Sequence, residues 1–391
     1  MIYLDNNATT RPCEAAIAAA DMAMREAWQN PSSVHRPGQH ARAQVELARK
    51  AIAELIGCKP RELTFVSSGT ESVQLAIRGV LGARPAGAEP PLVAASPVEH
   101  SAVRELLKEL EAKGEVRFRR LQVDGDGVVQ LESVVQAIND GAAIVSVQWA
   151  NNETGVIQPV EQIAALCNAA NVPYHCDGVQ WVGKQPARIG AFNPAMLSLS
   201  AHKFHGLKGL GCLYVRPGVK LRPMMPGNQE LGRRAGTENV VGILAAGAAA
   251  IRATQWLADE SERVRLDGLR AEFERRVLAG CPGATVNGAG ASRLWNTSNI
   301  GFPWLEAEAI LLALSESGVC ASAGSACASG SLDPSPVLIA MGVPAERAHG
   351  SVRFSLCRET TAEEIVRASE IVIRCVASLR SSTEAAVGRA G

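Results

Sequence analysis

Ala195-Met196-Leu197-Ser198-Leu199-Ser200-Ala201-His202-Lys203-Phe204-His205-Gly206 is the stretch on which the reading of this chain turns. It begins as an apolar run with strand character and ends in a lysine between two histidines, just before a glycine. Lys is scarce here and Arg carries most of the positive charge, so a lysine at the mouth of a buried strand is poorly explained as a solvated surface charge. Two readings stand beside each other. Lys203 is a loop lysine near a turn, or it is an amine held for covalent chemistry with a carbonyl cofactor.

Working upstream, Val172-Pro173-Tyr174-His175-Cys176-Asp177-Gly178-Val179-Gln180 reads as a short apolar strand ending in an acid. In open parallel α/β sheets ligands bind beyond the carboxyl ends of strands. An acid there can pair with a protonated pyridine nitrogen, the main electronic lever a protein has on pyridoxal 5'-phosphate. A strand-ending Asp is common, whereas Asp177 followed one strand later by Lys203 is far more specific. Leu63-Thr64-Phe65-Val66-Ser67-Ser68-Gly69-Thr70-Glu71 runs from a strand into a helix start. Free N–H groups and the positive dipole end there suit a phosphate. The same groups serve ordinary capping, so this segment alone does not decide.

The remaining pattern frames these pieces. From about residue 12 to 250 helices alternate with continuous apolar strands. Expected helices cover Cys13 to Trp28, His40 to Ile56, Glu71–Val80, Ser101–Ala112 and Val160–Ala170; expected strands cover Glu62–Val66, Leu92–Ala95, Ile144–Gln148 and Val172–Asp177. Such alternation argues an α/β chain with a mostly parallel sheet covered on both faces. After Trp256 the pattern becomes α+β: a charged helix Asp259 to Ala279, strands Ala284–Val286, Ser298–Phe302 and Ser351–Leu356, and helices Leu305–Ser315 and Ala362–Leu379, with the last residues from Ser381 frayed. The expected division is a large domain over 12–256 and a small C-terminal domain over 257–391 that takes in the N-terminal segment 1–11.

Composition narrows the classes. The 391 residues carry a formal net charge of zero, with no basic stripe for nucleic acid or an anionic membrane surface. The N-terminus turns polar at Asp5-Asn6-Asn7, unlike a signal peptide, and the apolar run Val240 to Ile251 is too short to span a bilayer. Ten scattered cysteines without a CxxC pair suggest a reducing cytoplasm, most of them serving as small core hydrophobes. No His/Cys cluster has zinc-ligand spacing. One cysteine stands apart. Cys327 lies in Val319–Ser331, where twelve of thirteen residues are Ala, Ser, Gly or Cys. That segment, about 320–333, reads as a mobile surface loop whose thiol is either incidental or able to reach a buried site. Arg353, in Ser351-Val352-Arg353-Phe354-Ser355-Leu356, stands on the strand face opposite Val352 and Phe354. It is either a surface ion-pair residue or a fork for a carboxylate.

Taken in order, these motifs carry a resemblance over nearly the whole chain: Tyr3-Leu4-Asp5-Asn6-Asn7, Asn30-Pro31-Ser32-Ser33-Val34-His35, Ser68-Gly69-Thr70-Glu71, Val98-Glu99-His100, Asn151-Asn152-Glu153-Thr154-Gly155, Asp177-Gly178-Val179-Gln180, the Lys203 segment, Arg234-Ala235-Gly236-Thr237-Glu238-Asn239, Gly324-Ser325-Ala326-Cys327 and Val352-Arg353-Phe354-Ser355. The chain resembles the class I cysteine desulfurases of the pyridoxal-phosphate-dependent class V aminotransferase group. The resemblance implies a fold type I architecture with a seven-stranded sheet and conversion of L-cysteine to L-alanine, the sulfur passing to Cys327 as a persulfide. It implies that Lys203 holds the cofactor and moves the α-proton, that Asp177 meets the pyridine nitrogen, and that Gln180 bonds the phenolic oxygen. His100 is then expected to stack on the ring and handle the thiol proton. Gly69, Thr70, Ser200 and His202 would hold the phosphate, with Thr237 reaching the phosphate of a neighbouring subunit in a homodimer. Arg353 and Asn152 would bind the substrate carboxylate. An iron–sulfur scaffold or another sulfur-acceptor protein is the implied partner.

The chain departs from the family pattern at Ser68, Val73-Gln74, Leu207 and Ala328, none of which removes a chemical group from that scheme. Other readings are a selenocysteine lyase or an aminotransferase, against which the Cys327 loop argues, and a non-catalytic assembly subunit, against which the joint presence of Lys203, Asp177, His100, Cys327 and Arg353 argues. An iron–sulfur cluster of its own would need clustered cysteines.

Overall fold

The computed structural model describes residues 1–85, 89–323 and 333–387. A seven-stranded sheet runs in the order Leu63–Val66, Gly211–Val215, Met196–Ser200, Tyr174–Asp177, Ala142–Ser146, Leu92–Ala95, Arg117–Arg120. Gly211–Val215 is antiparallel to both its neighbours and the other pairings are parallel. Side-chain alternation sorts each strand between two cores. Leu63, Phe65, Leu92, Ala94, Leu197, Leu199, Cys212 and Tyr214 join one, while Val66, Val93, Ala95, Met196, Leu213 and Val215 join the other. Both faces are thus covered, as unbroken apolar strands require. Helices Gly69–Gly82 and Ser101–Ala112 cover the second face. Glu14–Glu26, Arg36–Ile56, Val160–Ala169 and Val240–Leu257 cover the first.

A separate four-stranded antiparallel sheet, ordered Ser322–Ala323, Ser351–Ser355, Thr297–Gly301, Thr285–Val286, packs on helices Glu260–Gly280, Ala307–Glu316 and Ala362–Val387. Phe273, Ile300, Phe302, Phe354 and Val372 centre its core. The N-terminal strand Ile2–Tyr3 pairs in parallel with Val319–Cys320 and buries Ile2 and Leu4 in that same core.

Several elements differ from the sequence reading. Arg117-Phe118-Arg119-Arg120 is an edge strand that no apolar run announces, because charge on an edge guards against further pairing. The helix Leu131–Asn139 and the strand Gly211–Val215 were also outside the expected elements. The second helix begins at Arg36 rather than His40, with Pro37 in its first turn and the His35 ring accepting from the Gly38 N–H. The C-terminal helix continues to Val387, past the expected frayed end. Val240–Leu257 has 18 residues, long and apolar enough by length and composition to cross a membrane. It lies against Glu14–Glu26 and Arg36–Ile56, where Ile243, Ala246 and Ala250 are buried.

Candidate functional site

The carboxyl ends of the parallel strands converge on one cavity of about 490 Å³. Residues from five of those ends line it: Gly69 and Thr70 after Val66, His100 and Arg104 after Ala95, Gln148 and Asn152 after Ser146, Asp177 and Gln180, and Ser200, His202 and Lys203. Asn7 and Ala8 close it from the N-terminal segment, and Arg353 and Pro336 from the second sheet's side. This is the switch-point geometry of an open α/β sheet.

Strand Met196–Ser200 ends in a single 3₁₀ turn, Ala201–Lys203, which turns Lys203 into the cavity. Its Nζ donates to the Asn7 carbonyl at 2.5 Å and to the Ala8 carbonyl at 2.8 Å. Asp177, last residue of its strand, is 6% exposed. Burial raises its carboxyl to about 6, against the pull of the Val179 N–H (3.0 Å to Oδ1) and the Lys203 charge. His100 caps helix Ser101–Ala112, its Nδ1 accepting from the Ala102 N–H at 3.1 Å. Burial first, then the positive charges of Lys203, Arg104 and Arg353, lower it to about 4. The ring is therefore neutral, and with Nδ1 taken as an acceptor its proton sits on Nε2.

At the opposite end, Ser68 caps helix Gly69–Gly82 by accepting from the Glu71 N–H, and Thr70 is exposed at the helix mouth. Two glycines, one in the turn and one on the strand beside it, let the chain close here. A Cβ on Gly211 would stand 2.5 Å from the Ser68 carbonyl carbon, and one on Gly69 would stand 2.9 Å from Val179 Cγ2. His202 faces Thr9 Oγ1 at 3.1 Å, and burial with the nearby Lys203, Lys208 and Lys184 lowers it to about 4. Ser200 Oγ reaches the Leu210 carbonyl at 3.5 Å.

Arg353 is 3% exposed and not a surface residue. Its guanidinium donates to Asp5 Oδ1 at 2.8 Å and to the Asn152 carbonyl at 3.0 Å, while its buried Nε has no partner. Asn152 Oδ1 is likewise buried without a partner. Two orphaned polar atoms on one cavity wall are a cost that a bound polar ligand removes.

Of the residues expected at the site, ten are brought together: Lys203, Asp177, Gln180, Gly69, Thr70, Asn152, Ser200, His202, His100 and Arg353 all line this cavity. Thr237 does not; it is exposed, ahead of helix Val240–Leu257. Cys327 lies outside the described residues. Both flanks of its segment are tied near the cavity. Ser322 pairs with Arg353, and Ser335 Oγ donates to Glu153 Oε2 at 2.6 Å. Sequence reasoning gave no role to Asn7, Arg104, Gln148 or Glu153, which also line the cavity, nor to the buried Lys184 behind it. Asn7 and Glu153 stood inside quoted motifs; nothing in the sequence marked the others.

A buried acid, an amine, an anion cradle and a buried guanidinium in one cavity suit a phosphorylated aromatic cofactor together with an amino-acid substrate. Comparison with known proteins gives the family. Residues 2–367 match the Aminotransferase class-V family. The chain is 44% identical over 382 residues to a cysteine desulfurase 2 of Trichormus variabilis, covering 97% of this chain and 94% of that one. It is equally similar, 44% over 382 residues and the same shares of both chains, to the cysteine desulfurase NifS of Azotobacter vinelandii. A solved NifS-like protein superposes with a TM-score of 0.88 at 33% identity, over 97% of this chain and all of the other. With the family match spanning both sheets and the cavity between them, the chain belongs to the class V aminotransferases.

Proposed function

We propose that this chain is a pyridoxal-phosphate-dependent cysteine desulfurase. It takes L-cysteine to L-alanine and moves the sulfur to Cys327 as a persulfide. The observation that carries this reading is the joint presence of Lys203, Asp177 and Arg353 in one cavity, with Ser322 and Ser335, which flank the segment bearing Cys327 in sequence, tied beside it. The atoms balance without an external oxidant: the substrate C–S bond breaks, a new S–S bond forms at Cys327, and the substrate carbon gains a proton.

The donor set fits the cofactor. Buried Asp177 supplies a carboxylate for a pyridinium, and the Asn152 and Arg353 orphans show polar capacity left unfilled by the protein itself. The glycine-walled turn at Ser68-Gly69 leaves the helix start open to a phosphate, with Thr70, Ser200 and His202 around it. Gln180 would bond the phenolic oxygen, and Thr237 the phosphate of a second subunit in a homodimer. Bound there, the cofactor supplies an aldehyde for exchange with the substrate amine and a ring that accepts electrons.

The remaining work belongs to this chain. Lys203, held beside the Asn7 and Ala8 carbonyls, removes and returns the α-proton. Arg353 offers its unpaired Nε to the substrate carboxylate, with the Asn152 side chain beside it. His100 stays neutral and presents Nε2–H, a donor to the substrate sulfur. Burial pushes the Cys58 and Cys167 thiols up to about 12, so neither competes with Cys327 as a nucleophile. The chain divides near Trp256 into a cofactor-binding part and a smaller part that includes residues 1–11. It works in the cytoplasm and passes sulfur to an iron–sulfur scaffold or another acceptor protein.

The test is product analysis with L-cysteine and a reductant. Alanine and sulfide in equal amounts, abolished in Lys203→Ala, support the reading. Pyruvate, or a requirement for an amino-group acceptor, would point to a lyase or a transaminase.

A further inference from the structure

Behind the cavity wall lies a second lysine that no step above uses. Lys184 is 4% exposed and does not itself line the cavity. Its Nζ donates to Gln180 Oε1 at 2.5 Å and to Asn7 Oδ1 at 2.8 Å. Burying an amine is costly, so its two acceptors need explaining. Burial, with Lys203 and Arg353 nearby, holds the Lys184 ammonium well below the ordinary lysine range.

Charged or neutral, the Lys184 amine has N–H groups enough to donate to both of the side-chain amide oxygens it meets here. That contact fixes which way each amide faces. Gln180 keeps Oε1 on Lys184 and turns Nε2 the other way, where it donates to the Asn7 carbonyl at 3.1 Å. Asn7 keeps Oδ1 on Lys184 and on Asn296 Nδ2 at 2.9 Å. Its Nδ2 then donates to the Asn152 carbonyl at 3.2 Å and to Thr297 Oγ1 at 2.9 Å. The Asn7 carbonyl that receives Gln180 also receives Lys203. The buried amine and the carbonyls of Asn7 and Asn152, which only accept, together set the polarity of a network reaching Gln180, Asn152 and Lys203. The backbone brings it there by close approach. Gly183 sits at φ +80°, and a Cβ on it would fall 2.3 Å from Phe204 Cβ, next to Lys203. Trp295 Nε1 secures the far side by donating to the Lys184 carbonyl at 2.9 Å.

We propose that Lys184 is a positioning residue: by holding the oxygen ends of Gln180 and Asn7, it makes Gln180 present a hydrogen-bond donor, and never an acceptor, to the cofactor in the cavity. This rests on the cofactor reading above. Lys184→Met removes the hold on Gln180 Oε1 with little change in volume, leaving the amide held through Nε2 on the Asn7 carbonyl alone and free to swing its oxygen toward the cavity.

The experiment is a double-mutant cycle of Lys184→Met and Gln180→Ala on the reconstituted full chain. The readouts are the pyridoxal phosphate dissociation constant, from titration of the visible band, and the pH midpoint of that band. Each single variant is expected to weaken retention about fivefold, the scale of one neutral hydrogen bond. The double variant is expected to be no weaker than either single, and Lys184→Met is expected to displace the pH midpoint in the same direction as Gln180→Ala. Strict additivity, or a Lys184→Met variant with a lowered melting temperature but unchanged affinity and pH midpoint, would overturn the proposal. Should the Met variant not fold, Lys184→Gln replaces it; its own amide can offer either end, and the same loss of coupling to Gln180 is expected. A wild type that takes up no cofactor and shows no visible band would instead sink the cofactor reading itself.

Discussion

Asp177 is an acid kept where ionisation is costly, so its removal should stabilise the cofactor-free protein. Burial lifts its carboxyl from 3.8 to about 6, with the Val179 N–H and Lys203 only partly offsetting the loss of water. A group with a folded pKa above its unfolded one binds protons more readily when folded. Its favourable contribution is complete below the unfolded value near pH 4 and is lost as pH rises through 6. At about 1.36 kcal/mol per unit, the ionised carboxylate costs the fold about 3 kcal/mol at pH 8. Asp177→Asn cannot ionise, keeps an oxygen for the Val179 N–H, and can turn its new N–H toward the cavity. The cofactor-free variant should then be more stable than wild type by up to about 3 kcal/mol at pH 8, with the difference fading toward pH 4. Urea unfolding of both proteins at the two pH values measures this. A variant less stable at pH 8, or a difference that ignores pH, would refute the reasoning. With cofactor the order should reverse, because the wild type alone gains an ion pair on binding.

Three further outcomes follow from packing and charge. Gly211→Ala drives a Cβ into the Ser68 backbone, which cannot swing aside, so it should cost about 1–3 kcal/mol and displace the Ser68-Gly69 turn; cofactor retention measured after gel filtration should fall with it. Glu230→Ala removes the carboxylate whose two oxygens clamp the Arg49 guanidinium at 2.7 and 2.9 Å, leaves that buried charge only the more exposed Glu46 at 3.2 Å and the Leu63 carbonyl, and frees the Phe65 N–H. The expected loss is about 3–5 kcal/mol by thermal or denaturant unfolding. His100, lowered to about 4, should remain a neutral ring from pH 5 to 8 in NMR titrations of the cofactor-free protein, and a midpoint near 6.5 would contradict its buried, cation-facing setting.

Legibility in the sequence tracked how local the cause was. Strand-end residues announce themselves, because an apolar run ending in Asp177, or running into Lys203, is written in consecutive positions. Leu92–Ala95 and Ser101–Ala112 stand where the pattern put them for the same reason. The charged edge strand Arg117–Arg120 escaped because its pairing partner, not its own composition, makes it a strand. Arg353 could not be told from a surface ion-pair residue, since its burial depends on Asp5, which lies 348 positions away. Lys184 left no trace, because its acceptor Asn7 is 177 positions away and only the folded chain brings the two together.

The most direct test of the central claim is the mass of the Cys327-containing peptide after brief exposure of the reconstituted enzyme to L-cysteine without reductant. Cys327 is expected to gain the mass of one sulfur atom, in proportion to the alanine released and reversibly with added thiol. Cys327→Ala should keep the visible cofactor band and lose turnover. Alanine formed at the wild-type rate by Cys327→Ala, with no added sulfur on the wild-type peptide, would contradict it.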